Sequence, residues 1–325
     1  MALLGSTASG KTSLALAVAR QCDDVEIVSV DSMAVYRRMD IGTAKPSRAD
    51  RAGLRVHMID LVEPSEDFTV RQYQRAARDV VAGITERGHR ALLVGGTGLY
   101  FRSITDDLKM PGRWPEVARS LEADADRDGP EALHSKLAQL DPAAAARIEP
   151  ANRRRVVRAL EVTIGSGSPF SSYGPGLETY PPSAIAQFGI PYLPSEHDER
   201  VATRFSELLE EGLLEEVRGL SEEPGGLSRT ARQAIGYREL LAHIETGVPY
   251  AEAIQAAVQR TRVLARRQWS WFKRDPRVVW LDPSGDLLDQ LLRRFDDAHP
   301  LAGSVVREGP SAVGWETESV GRQDR

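Results

Sequence analysis

The chain has 325 residues, 41% of them hydrophobic, and a formal net charge of −5. That length fits one large core with a smaller domain added, and that apolar fraction excludes disorder of the whole chain. No apolar run reaches the roughly 18 residues of a membrane span and the N-terminus has no signal-peptide pattern, so no membrane partner and a cytoplasmic location are expected.

A single cysteine, Cys22, and six scattered histidines exclude a disulfide framework and a structural zinc site. The acidic total hides a segregation: residues 229–277 carry ten Lys or Arg against four Asp or Glu, a local excess of six. A basic stripe on an acidic chain is compatible with RNA bound along one face.

In chain order, residues 1–110 alternate short apolar runs with helical patterns. "ALL" precedes a helix from Thr12 to about Gln21; "VEIVSV" and "VHMID" follow, then a helix near 69–87, then "RALLVGG". Strands between helices imply an α/β domain, a parallel sheet wrapped by helices. Only four residues precede the first glycine turn, against about 5 to 6 in a typical strand, so the first strand is expected to be short or to begin upstream. Residues 116–164 read as helices without strands, and 165–183 form a Gly/Ser/Pro-rich connection. "AIAQFGI" then returns to the first sheet near Ala184, which makes residues 111–183 a helical insertion domain in a core of 1–110 and 184–295. Two long helical patterns, "SEHDERVATRFSELLEEGLLEEVRGL" and "YAEAIQAAVQRTRVLARRQWSWFKR", precede a small strand, "RVVWL". Residues 296–325 are polar and aperiodic, as in a disordered tail.

Gly5, Gly10, Lys11 and Thr12 satisfy G-x-x-x-x-G-K-[ST] between an apolar run and a helix. Glycines let the backbone amides and the helix N-terminus face one anion, Lys11 adds a charge, and the Thr12 hydroxyl can ligate Mg²⁺. The loop does not say what lies beyond the phosphates. Asp31 follows an apolar run, at the strand end that borders the ligand crevice of a parallel sheet; it reads as a metal ligand, a general base or a turn residue. "LLVGGTGLYF" repeats the geometry, with Thr97 facing the same crevice. Arg200 and Arg204, four apart on a helix, either reach over the phosphates or form a plain surface pair. Arg260, Arg267 and Arg274 recur every seven residues and share one helix face.

Six co-linear stretches, "GSTASGKT", "VSVDSMAVYRRMDIGTAKP", "VHMIDLVEPSEDFTV", "LLVGGTGLYF", "LDPAAAARIEPANRRRVVRALEV" and "QAIGYREL" with "TRVLARRQWSWFKR", resemble the bacterial tRNA dimethylallyltransferase family. The resemblance implies a P-loop-like fold and transfer of a dimethylallyl group from its diphosphate to N6 of the adenosine 3′-adjacent to the anticodon, in tRNAs reading codons that begin with U. The loop Gly5, Ser6, Thr7, Ala8, Ser9, Gly10, Lys11 and Thr12 would then hold the donor's diphosphate, with Mg²⁺ on Thr12. Asp31 resembles the family's general base, and Thr97 its G-G-T threonine near the acceptor adenine. Ser32, Met33 and Ala34 complete the segment facing the flipped-out base, whose extrusion costs a few kcal/mol.

The anticodon stem-loop contacts implied are Arg154, Arg155, Val156, Val157 and Arg158; then Gln233, Ala234, Ile235, Gly236, Tyr237 and Arg238; then Arg266, Arg267, Gln268, Trp269, Ser270, Trp271, Phe272 and Lys273. Two departures stand out. Ser6 replaces a common Pro, and Ala118 replaces an RNA-contacting Arg, so that either Arg119 substitutes for it or the contact is absent. The chain lacks cysteines for the zinc finger of eukaryotic relatives, so a bacterial-type enzyme, acting as a monomer, is expected. A P-loop small-molecule kinase, an isopentenyltransferase acting on AMP and an RNA-binding NTPase module are the alternatives; the first two leave the arginine-rich segments without a task, and the third needs ATP affinity.

Overall fold

The computed structural model describes residues 1–106, 108–174 and 176–298. Its elements run β1 (Ala2–Leu4), α1 (Lys11–Gln21), β2 (Val25–Val30), β3 (Val56–His57), α2 (Val70–Glu86), β4 (Arg90–Gly95) and α3 (Gly98–Thr105). The helical stretch α4 (Pro115–Asp128), α5 (Pro130–Leu140), α6 (Pro142–Ala145) and α7 (Arg153–Ser166) follows. The chain then forms β5 (Gln187–Gly189), α8 (Pro194–Glu210), α9 (Leu213–Glu222), α10 (Tyr237–Thr246), α11 (Tyr250–Phe272), β6 (Val278–Trp280) and α12 (Leu287–Ala298).

Six parallel strands lie in the order β3-β2-β4-β1-β5-β6. The sheet is buried on both faces, which is why its strands read as continuous apolar runs. Leu4, Val28, Val30 and Leu93 pack under α2, α3 and α8 to α11, while Leu3, Ile27, Leu92 and Val94 pack against α1 and α12. Register aligns the strand ends: Leu4 pairs with Gly95 and Gly189, and Val30 with Gly95. Gly5, Asp31 and Gly96 therefore leave the sheet side by side. Gly95 is required there, because a Cβ would run into the Val30 carbonyl. The central strand β1 spans three residues, and the Met1 amine donates to the Ala91 carbonyl at 2.9 Å. Burial, helped by the nearby Arg90 charge, pulls that amine down to about 6.

Local signals explain most helix ends. Thr69 and Gln72 form a reciprocal cap on α2, prolines open α4, α5, α6 and α8, and Asn152 caps α7. The single helical pattern expected over 195–220 is instead two helices, α8 and α9, broken at Gly212, whose φ of 101° is left-handed. The start of α3 right behind Thr97 and the α10 and α12 segments were not read from periodicity. Residues 296–298 complete α12, and the tail expected beyond them lies outside the described residues.

Helices α4 to α7 pack around a cluster of their own that includes Leu121, Leu133, Leu137, Val156 and Leu160. The return to the sheet is pinned by two stacked arginines. Arg102 donates to the Leu177 and Thr179 carbonyls, Arg277 to the Pro181 carbonyl at 2.7 Å, both ion-pair with buried Asp106, and both lie over the Tyr180 ring.

At the opposite edge of the sheet from the crevice, Glu26 is 1% exposed and receives Arg55, Arg87, His57 and His89. Burial pushes its carboxyl up, but hydrogen bonds from Arg87, His57 and Arg55 outweigh that and bring it from 4.5 to about 2. A depressed carboxyl stabilises the fold above its unfolded pKa, and that contribution disappears as pH falls from about 4.5 through about 2. Urea unfolding of Glu26→Gln should accordingly show lower stability near neutral pH and a shallower loss across that window than the parent. Parallel curves would mean the cluster makes no contribution.

Candidate active site

The phosphate loop is shaped by its own backbone. Ala8 and Gly10 both adopt left-handed φ, 59° and 85°, which turns successive amides inward. No side chain caps the first turn of α1, so its amides remain available to an anion. The Ser9 hydroxyl folds back over Gly5, where a Cβ would make it shift. Lys11 Nζ donates to the Ser6 carbonyl at 3.1 Å. Burial holds its ammonium below the ordinary lysine value, and the negative charge of Asp31 works in the opposite direction.

Asp31, at the end of β2, uses Oδ1 to accept the Met33 and Ala34 amides at 2.7 and 3.3 Å. That fixes the carboxylate and the 31–34 turn together and leaves Oδ2 without a hydrogen bond among the described residues. Thr97 Oγ1 accepts the Ser32 amide in a long hydrogen bond of 3.4 Å, tying the G-G-T turn to the same segment. The 40–42 loop that follows is clamped by Glu216 of α9, which accepts the Asp40, Ile41 and Gly42 amides at 2.9, 2.8 and 3.1 Å and also the Tyr237 hydroxyl. Gly42 is bare because Tyr237 packs where its Cβ would be.

One channel of about 1340 Å³ runs across these groups. The phosphate loop contributes Thr7, Ala8, Gly10, Lys11 and Thr12, and the strand ends contribute Asp31, Ser32, Met33, Ala34 and Thr97. Arg200 and Arg204 of α8 line it too, each already paired on its own helix, Arg200 with Glu196 and Arg204 with Glu207 and Glu211. Gln233, Ala234 and Ile235 close a further wall, and α11 adds Arg260, Arg267, Gln268 and Trp271. Gly5, Ser6 and Ser9 belong to the same loop but do not line the channel, and Ser6 and Ser9 are buried.

Several residues expected to meet RNA have other tasks. Val156 and Val157 are buried in the core of the α4–α7 segment, since they fall on the inner face of α7. Arg158 is tied to the Pro111 and Gly112 carbonyls and to Glu161. Tyr237 is fully buried against Gly42, and Phe272 is buried at the end of α11 against Phe101. Gly236, with φ 91°, forms the turn into α10 and donates its amide to Glu239. Trp269 packs on Trp280 and Tyr192.

The remaining expected contacts lie at the surface. Arg154 and Arg155 are exposed at the start of α7, and Arg238 is exposed beside Gln233. Arg266 pairs with Asp198, while Ser270 is exposed on α11 and Lys273 is exposed just past its end. Arg119 is exposed on α4, bound to Glu116 and outside the channel lining.

His197 carried no sequence signal, and Gln268, expected as an RNA contact, holds the loop as well. His197 of α8 is 1% exposed and lies 3.4 Å from the Ser6 hydroxyl, its imidazole held below the ordinary value by burial. It supplies a partner for the serine that stands where proline is common. Gln268 accepts the Thr7 amide at 2.8 Å, so it braces the loop itself.

A family model described as IPP transferase matches residues 34–275, about three quarters of the chain. The chain belongs to the IPP transferase family. A tRNA dimethylallyltransferase of Salinispora tropica is 42% identical over 292 residues, 90% of this chain and 91% of that one. One of Thermobifida fusca is 43% identical over 298 residues, 89% and 92% of the two chains. Among solved structures, the tRNA isopentenylpyrophosphate transferase of Bacillus halodurans matches with a TM-score of 0.66 at 34% identity, covering 91% of this chain and 95% of that one. A eukaryotic dimethylallyltransferase acting on tRNA shares the fold, at 23% identity and a TM-score of 0.72 over 91% of this chain and 77% of its own. The matched family span begins just after Asp31, and the sheet brings the phosphate loop beside that turn.

Proposed function

We propose that this chain is a tRNA dimethylallyltransferase, moving a dimethylallyl group from its diphosphate to N6 of the adenosine 3′-adjacent to the anticodon in tRNAs that read codons beginning with U. The observation that carries this reading is the single channel lined both by the phosphate loop and by an arginine-bearing face of α11. A kinase needs the first but not the second, and free AMP would leave Arg267 and Trp271 without a partner.

The loop amides, Lys11, Arg200 and Arg204 take the diphosphate in this scheme. Among the described residues no group of three or more His, Cys, Asp or Glu could hold a metal ion. A lone hydroxyl, that of Thr12, beside an anion cradle fits a divalent ion such as Mg²⁺, which keeps most of its waters and is bound largely through substrate phosphates. When bound, such an ion neutralises charge building on the leaving group.

N6 attacks C1 of the dimethylallyl group as the C1–O bond breaks, the bonding electrons leave on diphosphate, and Asp31 accepts the proton that N6 loses. The amine is a weak nucleophile because its lone pair is delocalised into the purine, so a fixed carboxylate acceptor has value. The Asp31–Ala34 turn and Thr97 receive the extruded base; Arg154, Arg155, Arg238, Arg267 and Lys273 supply contacts to the stem-loop phosphates. Residues 111–183 act as a separate helical domain that carries the first two of these arginines.

Incubation with magnesium, labelled dimethylallyl diphosphate and either unmodified tRNA or AMP tests the reading. Label is expected on tRNA alone. Label on AMP but never on tRNA, or ATP hydrolysis without prenyl transfer, would sink it.

A further inference from the structure

Gln268 lies on α11 between Arg267, which lines the channel, and Trp269, which packs inward. Its carboxamide does not face outward with Arg267. Thr7 donates its amide to Gln268 Oε1 at 2.8 Å, and Gln268 Nε2 lies so close over Gly96 that a Cβ there would collide with it. One helical turn on, the Trp271 indole lies over Gly98 in the same way. The two glycines flank Thr97, which accepts the Ser32 amide of the Asp31 turn. A single helix thus presses on the donor loop and on the acceptor turn.

The loop needs such support. Ala8, next to Thr7, has a φ of 59°, a left-handed conformation that is costly for an L residue, and such conformations persist where the surroundings over-determine them. The outer side of the same helix turns carries Arg267, Ser270 and Trp271, which with Arg274 just past the helix end surround a groove of about 440 Å³. Arg267 and Arg274 make no ion pair among the described residues.

We propose that Gln268 is a positioning residue: a strut through which RNA bound along α11 sets the phosphate loop, so that RNA and donor bind cooperatively. This rests on the reading of α11 as the RNA face. RNA seated on Arg267 and Trp271 restrains the helix, Gln268 passes that restraint to the Thr7 amide, and the loop's anion cradle is held ready. The ordering cost of the loop is then met once for both ligands, which is a coupling free energy and must act in both directions.

The test is calorimetry on the full chain with inorganic diphosphate and magnesium as the probe, with and without a saturating unmodified anticodon stem-loop. The parent should bind diphosphate about fivefold or more tightly when the stem-loop is present. In Gln268→Ala that ratio should fall to near one with stem-loop affinity retained. Gln268→Glu keeps an acceptor for the Thr7 amide, so its ratio should survive even though the added charge weakens diphosphate binding outright. Thermal unfolding of each variant establishes that it is folded, and if Gln268→Ala is not, the ratio measured in Gln268→Glu decides.

A parent without cooperativity overturns the proposal, as does a folded Gln268→Ala that keeps the parent ratio or a Gln268→Glu that loses it. So does a Gln268→Ala that loses stem-loop affinity as Arg267→Ala does, which would make Gln268 a direct RNA contact. Arg267→Ala separates the underlying reading, since it should weaken stem-loop binding and lower its salt slope by about one. No change there would mean that α11 is not the RNA face, whatever the ratio does.

Discussion

Asp31→Asn is expected to lower single-turnover prenyl transfer by about 10²- to 10⁴-fold, the range for loss of a positioned general base, with stem-loop affinity close to that of the parent. The substitution is chosen for its geometry. Asparagine keeps an oxygen in place of Oδ1, so the Met33 and Ala34 amides retain their acceptor and the 31–34 turn retains its shape. What is removed is the negative charge and the capacity to take a proton. A rapid-quench time course with saturating donor and stem-loop isolates that step, and a filter-binding titration reads RNA affinity separately. If transfer and RNA binding fall together, Asp31 is holding the turn and the base lies elsewhere. Removing the Asp31 charge takes away a repulsion of the diphosphate and also the charge that raises the Lys11 ammonium against its burial; the two effects oppose each other, so donor affinity should stay close to that of the parent. A donor affinity that collapses along with turnover would point to a metal-ligand role.

How much of this was legible in the sequence depends on how local each cause is. The phosphate loop, the strand before Asp31 and the α2 cap announce themselves within a few residues, because glycine turns, apolar runs and a Thr-x-x-Gln pair act on their own neighbourhood. The sheet order was not readable strand by strand, yet alternating strands and helices fixed its parallel character. Spacing put Arg260, Arg267 and Arg274 on one helix face; the first two line the channel from α11, while Arg274 lies just past the end of that helix. Val156, Val157, Tyr237 and Phe272 could not be separated from their exposed neighbours, since a contiguous motif on a helix points in all directions at 100° per residue. What was missed acts across the fold: Glu216 and His197 altogether, and for Gln268, expected only as an RNA contact, its hold on the phosphate loop. Glu216 lies among glutamates that look like a solvated helix face, and only the approach of residues 40–42, some 175 positions away, gives it three amides to accept. Gln268 to Thr7 spans 261 positions and His197 to Ser6 spans 191. For Ser6 the departure from the common proline was visible while its partner was not.

Lys11→Met is expected to reduce kcat/KM for the donor by about 10²- to 10³-fold, roughly 2.7 to 4 kcal/mol of transition-state stabilisation by analogy with loss of one preorganised donor at a developing anion. Both kinetic terms should move. The ammonium attracts the ground-state diphosphate, and it is better matched still to the charge that accumulates as the allylic C1–O bond opens, so kcat falls as well as affinity. The site is built to make this charge effective: Lys11 is depressed by burial, which means that it is poorly solvated and gains more from an incoming anion than an exposed lysine would. Lys11→Arg should not restore activity, because the guanidinium is a planar fork and the loop offers room for a compact point charge braced on the Ser6 carbonyl. With RNA on α11 and the start of α7, as proposed, stem-loop affinity should be unaffected in the absence of donor. The contrast with Asp31→Asn then assigns the two ends of the channel, since one variant keeps donor binding and loses transfer while the other loses both. A Lys11→Met enzyme that binds diphosphate as the parent does would show that the lysine serves only to hold the loop through Ser6, and the leaving group would have to depend on the α1 amides, Thr12 and the arginines of α8.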